Sequence, residues 1–159
     1  MGSRSDNQYA YIAGFLDGDG SLMLQIKKRK DGRIKLRLMS TICLYQDSRH
    51  EADLRWIRKI LKIGYLSRRN DGISELRING FAQTKRILEQ LMPYIRFKRH
   101  QAKSLYQAVN LLNNRDILHL TKRDRQKLVR SIMTIQEHNY VTRHKRSEAE
   151  LRELLDLTP

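Results

Sequence analysis

The chain has 159 residues, with 32 Lys and Arg against 17 Asp and Glu, for a formal net charge of +15. That length suits one domain with its own core, and 40% hydrophobic residues is too many for a disordered basic tail. The longest uncharged run, 104–114, is about half the ~20 apolar residues of a membrane helix, so no membrane partner is expected. A lone cysteine, Cys43, excludes an intramolecular disulfide framework and a cysteine-based zinc finger. It fits an intracellular, reducing compartment, without separating organelle, nucleus and prokaryotic cytoplasm. The excess positive charge calls for a polyanion, with nucleic acid ahead of an anionic membrane surface. Charge alone separates neither DNA from RNA nor binding from cutting.

Residues 1–6 read as a tail or cloning remnant, and 7–159 as one domain. Its core falls at 9–112 and its C-terminal helices at 121–157. A helical stripe runs through Ile12, Phe15 and Leu16 in 7–16, with Ser5 or Asp6 as N-cap. Residues 21–27 then alternate, Leu22, Leu24 and Ile26 on one face against Ser21, Met23, Gln25 and Lys27 on the other. Asp31-Gly32 supplies a hairpin turn, and 34–44 alternates again with Ile34, Leu36 and Leu38 opposite Lys35, Arg37 and Met39. Ser48 to Glu51 has the spacing of a capping box and opens a helix with Ile57, Ile60 and Leu61 inside; Gly64 closes it. Trp56 is expected in the core. A second hairpin spans 65–79 around Asn70-Asp71-Gly72, and helices follow over 81–92, 98–112, 121–139 and 147–157.

The order is α-β-β-α-β-β-α followed by further helices. It predicts an α+β fold: an antiparallel four-stranded sheet with helices on one face and a polar, basic open face. Between 21 and 46 lie seven cations (Lys27, Lys28, Arg29, Lys30, Arg33, Lys35, Arg37) and one acid, Asp31. A strand rises about 3.3 Å per residue, close to the ~3.4 Å of a base pair, and a two-stranded ribbon fits the major groove. The outward positions expected to meet nucleic acid are Gln25, Lys27, Lys35 and Arg37 on the first hairpin. On the second they are Arg68, Glu75, Arg77 and Asn79, with Lys28, Arg29 and Arg33 adding phosphate contacts. A one-residue slip in register would exchange the faces.

Residues 12–20 contradict this basic character. Ile12-Ala13-Gly14-Phe15-Leu16-Asp17-Gly18-Asp19-Gly20 carries two carboxylates, no base and three of the eight glycines. Carboxylates and an open carbonyl, as at Asp19 and Gly18, suit a hard divalent cation bridging to phosphate oxygens. Solvated aspartates at a glycine-capped helix C-terminus explain the same residues. Ala13 and Gly14 remove bulk where a second helix could approach.

This stretch resembles the signature of the LAGLIDADG homing endonucleases at the Ala, the Gly and both Asp-Gly pairs. The strand after it, the Lys98 segment and the order of elements extend the resemblance over about 9–112. The family carries two motifs in a long chain or one in a short chain that dimerises, and one copy is present here. The resemblance therefore implies a homodimer of net charge twice +15, with Ile12, Ala13, Gly14 and Leu16 at the dyad and a long, near-palindromic site. It implies Mg²⁺-dependent hydrolysis of one phosphodiester in each strand of double-stranded DNA, with Mn²⁺ or Ca²⁺ as alternative occupants. Asp19 and the Gly18 carbonyl would hold metal, while Gln46 and Lys98 join Asp19 as catalytic residues. Asp17 would support the helix end, and either Arg49 or His50 would fill a further basic position. An intron RNA partner (a maturase role) and a non-catalytic DNA-binding regulator are the alternatives.

Overall fold

The two alternating segments of each hairpin fold as strands β1 (Gly20–Lys28), β2 (Leu36–Asp47), β3 (Tyr65–Arg68) and β4 (Ile73–Asn79). In this computed structural model, which describes residues 3–30, 35–140 and 143–157, they form one antiparallel sheet in the order β1-β2-β4-β3. The first turn, Asp31-Gly32, and the expected DNA contact Arg33 lie outside the described residues. The second turn forms around Gly72, whose φ of +80° suits glycine.

The helices are α1 (Arg4–Asp19), α2 (Glu51–Leu61), α3 (Phe81–Leu91), α4 (Arg99–Asn114), α5 (Lys122–His138) and α6 (Glu148–Leu154). Period-2 alternation turns Leu22, Leu24, Ile26, Leu38, Ile42, Leu44, Leu76 and Ile78 toward the helices, where all are buried. Helical periodicity supplies the other side of the core: Ile12 and Leu16 of α1, Leu54 and Ile57 of α2, Ile87 and Leu88 of α3, Leu105 and Val109 of α4. The α+β architecture and the helix-covered sheet are those expected, with three helices after the α-β-β-α-β-β-α unit.

Several local expectations are corrected. Residues 1–6 are not simply a tail, because α1 begins at Arg4. Its N-cap is Ser3, not Ser5 or Asp6: the Ser3 hydroxyl accepts the Asp6 N–H and Asp6 accepts the Ser3 N–H. The box at Ser48 does not form. Ser48 opens a 3-10 turn (Ser48–His50), its hydroxyl pairs with that of Ser74 at 2.9 Å, and the Glu51 carboxylate turns to Arg68. Lys62, in the left-handed region at φ 55°, ends α2 before Gly64. Trp56 is 39% exposed and stacks edge-on against Tyr11, with ring centroids 5.7 Å apart.

The C-terminal helices brace the sheet from its side. α5 opens with a reciprocal cap between Thr121 and Asp124, which Arg115 also binds at 2.6 Å. Beyond it the Asn139 side-chain amide donates to the Leu22 carbonyl at 3.1 Å, and Arg146 to the Ile26 carbonyl at 3.4 Å. Both acceptors belong to the edge strand β1, whose outer side has no strand neighbour among the described residues.

Candidate active site and nucleic-acid interface

The acidic end of α1 meets the N-terminus of α4 and the end of β2, and the two aspartates differ sharply there. Asp17 is half-buried and structural: its carboxylate accepts the backbone N–H of Arg96 at 2.8 Å and of Lys98 at 3.0 Å. The Lys98 ammonium donates back to the Asp17 carbonyl. Lys98 is 7% exposed, and burial pulls its ammonium below the usual lysine range while Asp17 and Asp19 pull it back up. Asp19, at the very end of the helix, is exposed and accepts no hydrogen bond from a described residue.

Helix geometry makes this end attractive to a cation. The last carbonyls of a helix lack intrahelical donors and carry partial negative charge. Gly20 N–H satisfies the Leu16 carbonyl and Lys98 that of Asp17, so the Gly18 carbonyl comes next. A side chain at Gly18 would meet nothing within 4 Å, so the approach is open. Among the described residues no three His, Cys, Asp or Glu converge as a complete metal site. An exposed carboxylate beside an open carbonyl fits a hard divalent ion that completes its shell with phosphate, water or a second carboxylate.

Gln46 lies two residues past Leu44, the partner of Gly20, so β2 delivers it beyond its pairing with β1 and opposite Ser74 of β4, at the α1 end of the sheet. Its Oε1 accepts the Asp47 N–H at 2.8 Å, which leaves its Nε2 able to donate. Arg49 is committed elsewhere: Nε and Nη2 donate to Asp47 at 3.0 and 2.9 Å, and the guanidinium holds that carboxyl far below its ordinary range. His50 beside it is exposed. Cys43 offers no nucleophile, because burial pushes its thiol up to about 11 and keeps it protonated at neutral pH.

The sheet face opposite the helices carries the expected polar and basic set, with corrections. Gln25 and Met39, then Lys27 and Arg37, pair across β1 and β2; Gln25, Lys27, Arg37 and neighbouring Lys35 and Arg29 are exposed. Lys28 has the strand phase of Ile26, so it leaves the hairpin from the opposite side. Arg68 is not on the open face. It pairs with Ser74, which is buried on the helix side, and its Nε donates to Glu51 at 2.7 Å. Tyr65 and Ser67 take the outward positions on β3. Leu66 between them was the signal: an apolar residue facing the core puts its neighbours outside.

The remaining face is cross-linked. Thr41 Oγ1 donates to Asn79 Oδ1 at 2.8 Å, and Asn79 Nδ2 donates to Tyr65 Oη at 3.2 Å, a row spanning β2, β4 and β3. Nearer the acidic end, the hydroxyls of Ser21 and Tyr45 pair at 2.9 Å, and burial pushes the Tyr45 phenol up to about 12. Glu75 is 5% exposed, with Arg77 and Arg69 on its two oxygens at 2.7 and 3.4 Å.

The four residues expected at a dyad also divide. Ile12, Ala13 and Leu16 have no exposed surface and belong to the chain's own core, which removes them from any partner contact. Gly14 is exposed, and a Cβ placed on it would meet nothing within 4 Å; it lies on one outward stripe with Tyr11 and Gly18. The pair Gly14 and Gly18, one turn apart, is flanked by exposed Tyr11 and Trp56.

Such a sheet, with a two-aspartate helix end at its edge, suits a protein that meets phosphate through a cation. The family model described as LAGLIDADG endonuclease matches residues 12–106, and the chain belongs to that family. It is 36% identical over 107 residues to the DNA endonuclease I-CvuI of Chlorella vulgaris. That match covers 67% of this chain and 66% of the relative, just under two thirds of the relative's length. A crystal structure of I-CvuI with its target in the presence of 2 mM Ca has a TM-score of 0.80 and 28% identity, covering 96% of this chain and 94% of that one. Another, with the I-CreI target, 2 mM Mg and DNA not cleaved, has a TM-score of 0.78 at the same identity and coverage.

Proposed function

We propose that this chain is a homing endonuclease: a homodimer that hydrolyses one phosphodiester in each strand of a long, near-palindromic DNA site. The observation that carries the reading is the exposed Asp19 carboxylate beside a buried Lys98, at the margin of an otherwise cationic sheet face. A protein that only binds phosphate gains nothing from an unneutralised carboxylate there, because it repels the ligand. A divalent cation, Mg²⁺ by preference, makes it useful, and the relatives' complexes with Mg and Ca favour the same ion class.

Asp19 and the Gly18 carbonyl of each protomer would hold such an ion. When bound, it supplies Lewis-acid stabilisation of charge on the phosphate and leaving oxygens. Lys98, fixed by Asp17, presents a donor to the charge that builds on the phosphoryl group. Gln46, its Oε1 occupied, orients solvent through Nε2. The open sheet face holds double-stranded DNA. A reducing compartment suits the chain, since Cys43 is buried and unpaired.

Dimerisation follows from the stripe of Tyr11, Gly14 and Gly18, whose missing side chains at the two glycines let two α1 helices approach closely and bring two Asp19 residues together. Gly14→Leu fits inside the protomer, where nothing lies within 4 Å, but not between two helices. It is expected to raise the dimer dissociation constant at least tenfold, about 1.4 kcal/mol, by sedimentation analysis. An unchanged dimer would remove this interface.

Selection from a randomised double-stranded DNA library, with and without Mg²⁺, tests the activity. Wild type should cut one near-palindrome only with the ion. Asp19→Asn should lose cleavage by about 10³-fold or more while binding as tightly or more so, since a repelling charge is gone. Enrichment without cutting by either protein would favour a regulator, and no DNA selection at all would point to RNA.

A further inference from the structure

Glu75 lies on the open sheet face, where a carboxylate opposes phosphate, yet nothing hides it behind the strand. What covers it is guanidinium. Its Oε2 accepts Arg77 Nε at 2.7 Å and its Oε1 accepts Arg69 Nη1 at 3.4 Å, while Arg69 Nη2 is itself held by Asp71 at 2.6 Å. Only 5% of Glu75 is exposed, against 35% of the Arg77 side chain. Its oxygens are spent and sheltered, so a cytosine amino group cannot reach them without displacing an arginine.

We propose that Glu75 is a positioning residue that orients Arg77 to read a guanine in each half-site, an inference that rests on the DNA-binding reading above. Arginine can engage a base side-on through Nε and one Nη, or end-on through both Nη atoms. Glu75 occupies Nε and leaves the end-on fork, whose two parallel N–H donors match guanine O6 and N7. Adenine presents a donor where guanine has O6, and neither pyrimidine has two adjacent acceptors in the major groove. Arg77 sits on β4 with Cys43 of β2 and Tyr65 of β3 on either side, in the middle of the face and away from the cationic hairpin tip. Arg69, tied between Glu75 and Asp71 on the turn side, walls off one direction of escape. The carboxylate also lowers the local positive charge, so it weakens indiscriminate phosphate binding while it sharpens one contact.

That opposition of effects gives the test. The target selected by wild type is varied at every base pair, and relative binding and cleavage are measured for the wild type and three variants. Wild type should prefer guanine at one base pair per half-site by about tenfold or more. Arg77→Lys keeps the charge and loses the fork, so that preference should fall to about twofold or less with other positions unchanged. Glu75→Ala should flatten the same base pair while affinity for random DNA rises, because a negative charge has been removed. Glu75→Gln, which keeps a neutral acceptor at the same reach, should retain an intermediate preference. A merely structural Glu75 would lower specific and random binding together. Flattening at a different base pair from Arg77→Lys, or loss of a cytosine preference, would make Glu75 a base reader and overturn the proposal. If Glu75→Ala does not fold, an unchanged guanine preference in Glu75→Gln together with none lost in Arg77→Lys overturns it equally. A wild type with no sequence preference would sink the endonuclease reading itself.

Discussion

The two hairpins of the sheet solve the problem of touching DNA in opposite ways. On the first, Lys27, Lys28, Arg29, Lys35 and Arg37 are exposed, and none forms an ion pair among the described residues. On the second, every arginine is engaged: Arg68 with Glu51, Arg69 with Asp71 and Glu75, Arg77 with Glu75. Its uncharged reader Asn79 is held between Thr41 and Tyr65. Long solvated cations supply affinity through counterion release with little demand on geometry. Groups already bonded lose less freedom on docking, and only fixed donors can tell bases apart. The first hairpin is built to hold and the second to discriminate.

The sharpest way to break this comparison is to neutralise Lys27, Lys35 and Arg37 together to Gln. The slope of log K against log salt should fall by about 5.4 for the dimer, at ~0.9 for each of its six charges, with affinity down by about 10²-fold or more and the ranking of targets kept. A changed ranking with an unchanged slope would reverse the roles of the hairpins. A smaller effect is expected from Thr41→Val, which deletes the hydroxyl that orients the Asn79 amide. Discrimination at one base pair should fall by about tenfold with no change in salt slope, measured on the same target panel. Tyr65→Phe should act at the same base pair.

The mildest test concerns the scaffold under the second hairpin. Glu51 binds Arg68, Ser74 and Arg55, and the Arg68 and Ser74 hydrogen bonds hold its carboxyl down at about 2 against an ordinary 4.5. A folded-state value below the unfolded one means stability that is full above about pH 4.5 and is lost as pH falls toward 2. Glu51→Gln should therefore melt lower at neutral pH and show a flatter decline across that acid window, by thermal scans at a series of pH values. An unaltered acid limb would show that the ion pair is not coupled to folding.

This difference between hairpins explains which parts of the molecule were legible in the sequence. The first hairpin was readable because its alternation is strict and local: Leu22, Leu24 and Ile26 leave no choice of face. Arg68 has the strand phase of Leu66, which marks it as helix-side; only its partner Glu51, 17 residues away, was beyond local pattern. The acidic end of α1 was legible as a motif and Lys98 as its companion. Which side of α1 faces inward was not, since the apolar and aromatic residues at 11, 12, 13, 15 and 16 span about 200° of the helix. Burial of Ile12, Ala13 and Leu16 by the chain's own sheet and helices decided it. The start of α1 was missed for a simpler reason: Ser3, Ser5 and Asp6 are all competent caps, and only the reciprocal bond between Ser3 and Asp6 selects one.

The side-chain clasp of Asn139 and Arg146 on β1 bears on how this protein stays dispersed. A sheet has two rims, and a bare rim can recruit strands from other molecules. One rim here is β3, only four residues long, too short to template much growth. The other is β1, nine residues with an apolar face, and there the distant end of the chain plugs two of the outward carbonyls. Shortening the polypeptide ahead of Asn139 would take away both donors and leave those two carbonyls open to a strand from another molecule.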